Sequence, residues 1–307
     1  ILGQYFYCPK INFYLKKTMN NRKSFFLAAP FYMVFLCFFL IPLILTIIVS
    51  FWDYNEYSII PDFIYENYSY IFNKCFDNAE DVCVTFKTYL STFYFCFLSW
   101  LFTLVIGFTI AYFLAFHVKS LGLQITLFLI CTIPFWTSNV IRMVSWIPLL
   151  GRNGLFNSFL LSTGIIDEPQ EWFLYSHFSV VLAFVHLYTL FMIVPIFNSM
   201  LRIDKSIIEA AYDAGANGFQ ILINIIIPLC KPGIVIGSIF VITVVMGDFI
   251  TIGIMGGQQL ASIGKIIQVE MSYLQLPAAA ANAVILLIIT IFIIWIMTKF
   301  IDIRKEL

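Results

Sequence analysis

Long apolar runs separated by short polar stretches organise the chain. Six of them approach or exceed the roughly 20 apolar residues that a helix needs to cross about 30 Å of hydrocarbon. They cover about residues 25–51, 88–115, 123–148, 175–200, 232–254 and 278–300. The pattern predicts an all-α integral membrane protein with six transmembrane helices in one domain over 25–300. Tails 1–24 and 301–307 flank it. The first run follows Arg22 and Lys23, as a signal peptide would, but it is too long and no small-x-small site follows. It reads as an uncleaved anchor. Residues 1–18 precede Met19, where a natural membrane-protein start can be read, and are treated as an extension without a role.

Charge sets the expected orientation. With the N-terminus inside, only Lys74, Lys87, Arg142, Arg152 and Lys265 of the 17 Lys and Arg fall outside. The excess of positive residues marks the cytoplasmic side. Both termini and segment 201–231 are then cytoplasmic. The first outer segment is acidic, with Asp53, Glu56, Asp62 and Glu66 in its first half.

Composition supports the membrane reading. The chain is 61% hydrophobic and 11% charged, against roughly 25% charged in soluble domains. Its formal net charge of zero offers no global field for nucleic acid. Seven cysteines show no CxxC pair. Cys37, Cys96 and Cys131 lie in apolar runs, and Cys75 and Cys83 share one polar outer loop, where they could form a disulfide. His117, His177 and His186 are scattered and predict no metal site. Gly264-Lys265 is the nearest approach to a Walker A motif, but Gln259 replaces its first Gly and Ile266 its Ser or Thr. ATP hydrolysis by this chain is not expected, and no catalytic constellation is visible.

One polar interruption stands out: EAAYDAGANGFQILINIIIPL, residues 209–229, between the fourth and fifth runs. Lys205 to Ala214 can form a short helix rich in alanine. Gly215 can end it in the left-handed conformation, and Asn217 can cap a second helix through Leu222 or beyond. Pro228 and Pro232 are expected to punctuate the start of the fifth span. The result is a helix–turn–helix knob with a small-residue surface and one acid, Glu209, at its start. Such a knob can simply connect two spans, or it can let another protein approach closely.

Here the sequence resembles a known family. Glu209-Ala210-Ala211, then Gly215, then Ile225-Ile226-Ile227-Pro228-Leu229 is similar to the EAA loop of binding-protein-dependent ABC transporter permeases. Ile227 stands where that family usually has Leu, an apolar-for-apolar departure. The resemblance implies the type I ABC importer permease fold, with a cytoplasmic EAA coupling helix in loop 201–231 between helices 4 and 5. It implies that Glu209, Ala210, Ala211, Gly215 and Pro228 meet the ATPase.

Two further stretches resemble the spermidine/putrescine permeases, and among these the first permease of the polyamine pair. They are PFWTSNVIRMVSWIPLLGRNGLFNSFL, residues 134–160, and GDFITIGIMGG, residues 247–257. Ile263-Gly264 and the stretch from Pro277 continue the likeness. Ile252 stands where those proteins usually show Pro, so span five is expected to be less kinked near its end. Related importers of ferric iron and sulfate share the architecture. The resemblance further implies two ABC ATPase subunits that bind ATP and magnesium, a second permease, an extracellular or periplasmic solute-binding protein and a bacterial inner membrane. No cofactor is expected in this chain and no nucleic-acid partner.

The candidate pathway residues are Trp136, Arg142, Trp146 and Asp248. At 1.5 Å per residue, Pro134 lies about 18 Å from the inner end of span three and should kink it near midplane. Arg142 and Asp248 fall about 30 and 25 Å up, in the outer half. An Asp within a span is a functional hypothesis by default. Asp248 could attract a cation, or it could pair with Arg142 or bond backbone as a structural group; the second is favoured. Trp136 and Trp146 could make cation–π contacts or anchor and pack, and packing is favoured. Gly233-x-x-x-Gly237 and Ala279-x-x-x-Ala283 suit close helix packing, within the chain or with a second permease. An ion-coupled secondary transporter would call for more intramembrane ionisable residues or inverted repeats, and a membrane enzyme for a clustered constellation; neither signal is present.

Overall fold

The computed structural model describes residues 21–55, 58–72, 84–257 and 259–299. The 1–18 extension, tail 301–307 and the Cys75–Cys83 pairing lie outside the described residues. Nearly all regular structure is helical. In chain order come α1 (Asn21–Phe35), a π-helical turn (Leu36–Leu40) and α2 (Ile41–Val49). A two-residue hairpin, β1 (Asp53–Tyr54) and β2 (Ile59–Ile60), and a short α3 (Glu66–Ile71) follow. Asn67 is buried in α3 and donates to the carbonyls of Ser50 and Trp52, so it ties this segment to the end of α2.

Next come α4 (Val84–Tyr112), α5 (Leu121–Thr132), α6 (Asn139–Leu150), α7 (Leu155–Ser162) and α8 (His177–Leu201). The chain continues with α9 (Lys205–Asp213), α10 (Gly218–Ile221), α11 (Ile227–Gly247), α12 (Ile250–Met255), α13 (Ile263–Ser272) and α14 (Leu276–Lys299). Among the described residues, five helical units are long and apolar enough to cross a membrane: Ala28–Val49, Val84–His117, His177–Leu201, Gly218–Gly247 and Leu276–Lys299. A sixth is the bent pair Leu121–Trp136 and Asn139–Ser162.

That pair corrects the expectation of one kinked span over 123–148. The two halves meet at 89°. Pro134 sits in a 3-10 turn, Ile133–Trp136, and Thr137 and Ser138 are non-helical before α6 begins. A proline lacks the amide to continue the ladder, and two following non-helical residues turn a kink into a break.

The prolines before span five behave differently from expectation. Gly218–Gly247 is one unit through both Pro228 and Pro232. A π-helical turn, Leu222–Ile226, widens the helix just ahead of Pro228 and gives its ring room. The break comes instead at the other end, where α11 stops at Gly247 and Asp248 is extended. Ile252, at the position expected to govern the kink, is buried inside α12.

α4, α8 and α11 form the core, where Phe184, Met192, Ile196 and Val241 are fully buried. Apolar burial alone does not drive helices together in lipid, so close approach and interhelical hydrogen bonds matter. Gly107 faces Met192, and Gly233 and Gly237 lie against Pro195 and Met192 of α8. The GxxxG pair therefore serves packing within the chain. Trp100 donates to Ser238 at 2.8 Å and joins α4 to α11. The first span differs: none of its apolar window is buried, and Phe38 is 80% exposed. It touches the rest through α2 and α14.

Candidate functional site: a capped knob and the polar contacts of Asp248

The knob forms from local signals. Asp204 caps α9 by accepting the Ser206 N–H at 3.0 Å. That bond, together with the Ser206 hydroxyl, holds the Asp204 carboxyl below its ordinary value near 3.8. At the other end Gly215 has φ +85°. Ala216 N–H bonds Ala211 C=O at 3.0 Å, and Gly215 N–H bonds Tyr212 C=O at 2.9 Å. This is the Schellman pattern, which satisfies carbonyls that a helix end leaves open. Asn217 and Gln220 then cap α10 reciprocally at 2.8 and 2.9 Å, a capping box.

Glu209, Ala210, Gly215 and Pro228 are exposed, and Ala211 is half-buried. Ile203 and Ile221 bury the inner face of the knob. Glu209 and Ala210 are on the exposed side of α9 and Gly215 in its turn, whereas Ala211 packs against the core; Pro228 lies beyond the π-helical turn, in α11.

The pathway candidates do not form one cluster. Trp136 is 82% exposed at the end of the 3-10 turn. Trp146 donates its indole N–H to His186 Nδ1 at 3.1 Å. Arg142 is 8% exposed, bonds Asn139 and leaves Nε without a partner. Asp248 accepts the Tyr188 hydroxyl, the Thr251 hydroxyl at 2.5 Å and the Thr251 N–H at 2.9 Å. Arg142 and Asp248 form no ion pair, although Arg142 acts electrostatically on both Tyr188 and His186. Asp248 thus starts α12 and is held by α8. Sequence reasoning passed over Tyr188 and Thr251 and weighed His186 only as a metal ligand. The Asp-x-x-Thr spacing is the local signal that could have revealed Thr251, since Asp favours capping bonds to the backbone three residues on.

No protein-family model matches the chain. The spermidine/putrescine transport system permease protein PotB of Escherichia coli (strain K12) is 34% identical over 208 residues, 66% of this chain and 74% of that protein. The chain belongs to the ABC transporter permease family. PotB of Haemophilus influenzae is similar to this permease over almost its whole length: 28% identity over 298 residues, 95% of the chain and 99% of that protein. Among solved structures, a bacterial alginate ABC transporter with an alginate pentasaccharide-bound periplasmic protein aligns with a TM-score of 0.69. The alignment covers 91% of this permease and 93% of that chain at 16% identity, and so establishes the fold.

Proposed function

We propose that this permease is one channel-forming subunit of an ATP-driven importer of polyamines in a bacterial inner membrane. Its 34% identity to the spermidine/putrescine permease of Escherichia coli carries the reading. The distribution of Lys and Arg puts both termini and the knob in the cytoplasm. There Glu209, Ala210, Ala211 and Gly215 form the contact for a separate ATPase that binds ATP and magnesium, with Pro228 at the base of the following span. A second permease completes the pathway, and a solute-binding protein delivers the substrate from outside. Closure of two ATPases around ATP pushes the paired knobs and turns the cavity outward; hydrolysis resets it. Asp248 holds the outer break of span five.

The test has two arms. Wild-type chain should retain its ATPase in a pull-down, and Glu209→Lys and Gly215→Asp should lose it at unchanged membrane expression. The assembled complex should take up labelled putrescine or spermidine. Equal ATPase binding by the variants would make the knob a plain connector, and uptake of another solute in place of polyamines would replace the substrate.

A further inference from the structure

A second polar site lies away from the Asp248 cluster, where α13 folds back onto α14. α13 is docked on α4: Ile263 N–H bonds Thr92 Oγ1 at 3.0 Å, and Ser91 donates to Ala261 C=O at 2.9 Å. This brings Glu270 of α13 beside Asn282 of α14. The Asn282 amide donates to both carboxylate oxygens of Glu270, at 2.9 and 3.0 Å. β1, which carries Tyr54, packs on α14, and α4, which carries Tyr89, packs on α13, so both tyrosines belong to elements that border this pair.

Three features make the site incomplete. Asn282 is 3% exposed, and its Oδ1 is buried with no partner. Tyr89 is 8% exposed, and its hydroxyl is also buried with no partner. Glu270 is half-buried and forms no ion pair among the described residues. Lys265, on the same helix, is turned to Gln268 at 2.8 Å. Burial pushes the Glu270 carboxyl up, and the bond from Asn282 opposes that. A buried acceptor left unbonded costs the desolvation of that group, and a partly buried carboxylate is stabilised by a nearby cation or by taking up a proton.

We propose that Glu270, Asn282, Tyr89 and Tyr54 form a binding site for one ammonium end of a linear polyamine. The chemistry matches group by group. An alkylammonium carries three N–H donors and one positive charge. The site offers a carboxylate, an amide oxygen and a phenol oxygen. Glu270 is on the segment between the fifth and sixth spans, and Tyr54, Tyr89 and Asn282 join it from the loop after span one, span two and span six. The proposal rests on the polyamine reading for its ligand and not on the coupling role of the knob.

The experiment uses the assembled importer in nanodiscs. Binding of 1,4-diaminobutane is measured by calorimetry for wild type, Glu270→Gln and Tyr89→Phe, with sodium and potassium chloride as competitors, and uptake is measured on the same samples. Glu270→Gln should weaken diamine binding at least about tenfold, the scale of one charge-assisted hydrogen bond. Tyr89→Phe, which keeps the ring, should weaken it several-fold, and the Michaelis constant for uptake should rise in parallel. Wild-type binding and uptake in both variants would overturn the site and leave the polyamine reading intact. Equal displacement by either alkali salt would reassign it to a metal cation, and no diamine binding by wild type would leave it a hydrated pocket; both outcomes overturn the proposal. Glu270-dependent diamine binding without polyamine uptake would keep the site and remove the substrate reading.

Discussion

Tyr188 on α8 donates its hydroxyl to Asp248, at the residue where α11 ends. Two of the three core helices are thereby pinned at the break in span five, and the other two donors, the Thr251 N–H and hydroxyl, lie just beyond it.

Tyr188→Phe keeps the ring and removes the hydroxyl. It should destabilise the chain by about 1.5–3 kcal/mol, the range for a hydrogen bond to a charged group, and leave the Michaelis constant for uptake unchanged. Unfolding in bicelles and uptake assays read the two quantities separately. A raised Michaelis constant at undiminished stability would transfer Asp248 from a structural to a pathway role.

At Gly233 a methyl group would sit 2.5 Å from the Pro195 carbonyl oxygen and 2.5 Å from Ser199 Oγ. Backbone cannot step aside as a side chain can. Gly233→Ala should cost about 1–3 kcal/mol by overpacking. Gly247→Ala meets nothing within 4 Å and should be neutral or slightly stabilising. Equal unfolding midpoints for the two variants would refute the tight crossing of α8 and α11.

Gly215 has open space around it and φ +85°, so its identity is a matter of conformation. Gly215→Ala should destabilise the turn by roughly 1–2 kcal/mol, the left-handed penalty for an L-residue, whereas Gly215→Asn should cost less because Asn tolerates that region. Hydrogen exchange at Gln220 and Ile221, downstream of the turn, would rank the three; faster exchange in the Asn variant than in the Ala variant contradicts the argument.

Asp204 supplies a pH dependence. Its folded value is depressed, so its contribution to α9 is complete above the ordinary carboxylate range and lost as pH falls through the lowered value. Protection of the Ser206 and Ile207 amides, corrected for intrinsic exchange, should fall in that window. Asp204→Asn should abolish the step and keep the protection, and Asp204→Ala should lack protection at every pH. A step that persists in the Asn variant would assign the effect to another group.

The sequence revealed the parts whose cause is local. A bilayer demands length and apolarity, so the spans stand out as runs. Gly215 and Asn217 carry turn and cap chemistry in their own identity, and both do in the fold what that chemistry dictates. The misses involve partners remote in sequence or backbone adjustments that no single residue announces. The π-helical turn at Leu222–Ile226 lets the helix run on through Pro228, yet LINII reads as an ordinary apolar run. Pro134 announced a bend, while its 89° size came from Thr137 and Ser138 as well. Tyr188 lies within an apolar run rich in aromatics, where nothing marks it as the donor to an acid 60 residues on.

The second helix of the knob and the fifth span are one rod. Gly218–Gly247 has 30 residues, about 45 Å at 1.5 Å per residue. Its near end is fastened by the Asn217–Gln220 box and its far end stops at Asp248, under the grip of Tyr188. A rod so clamped has little slack to absorb a displacement. Under the proposed coupling role, a push on the knob would be carried along this rod to the break at Asp248, and the travel of the span would be set by how far that break can yield.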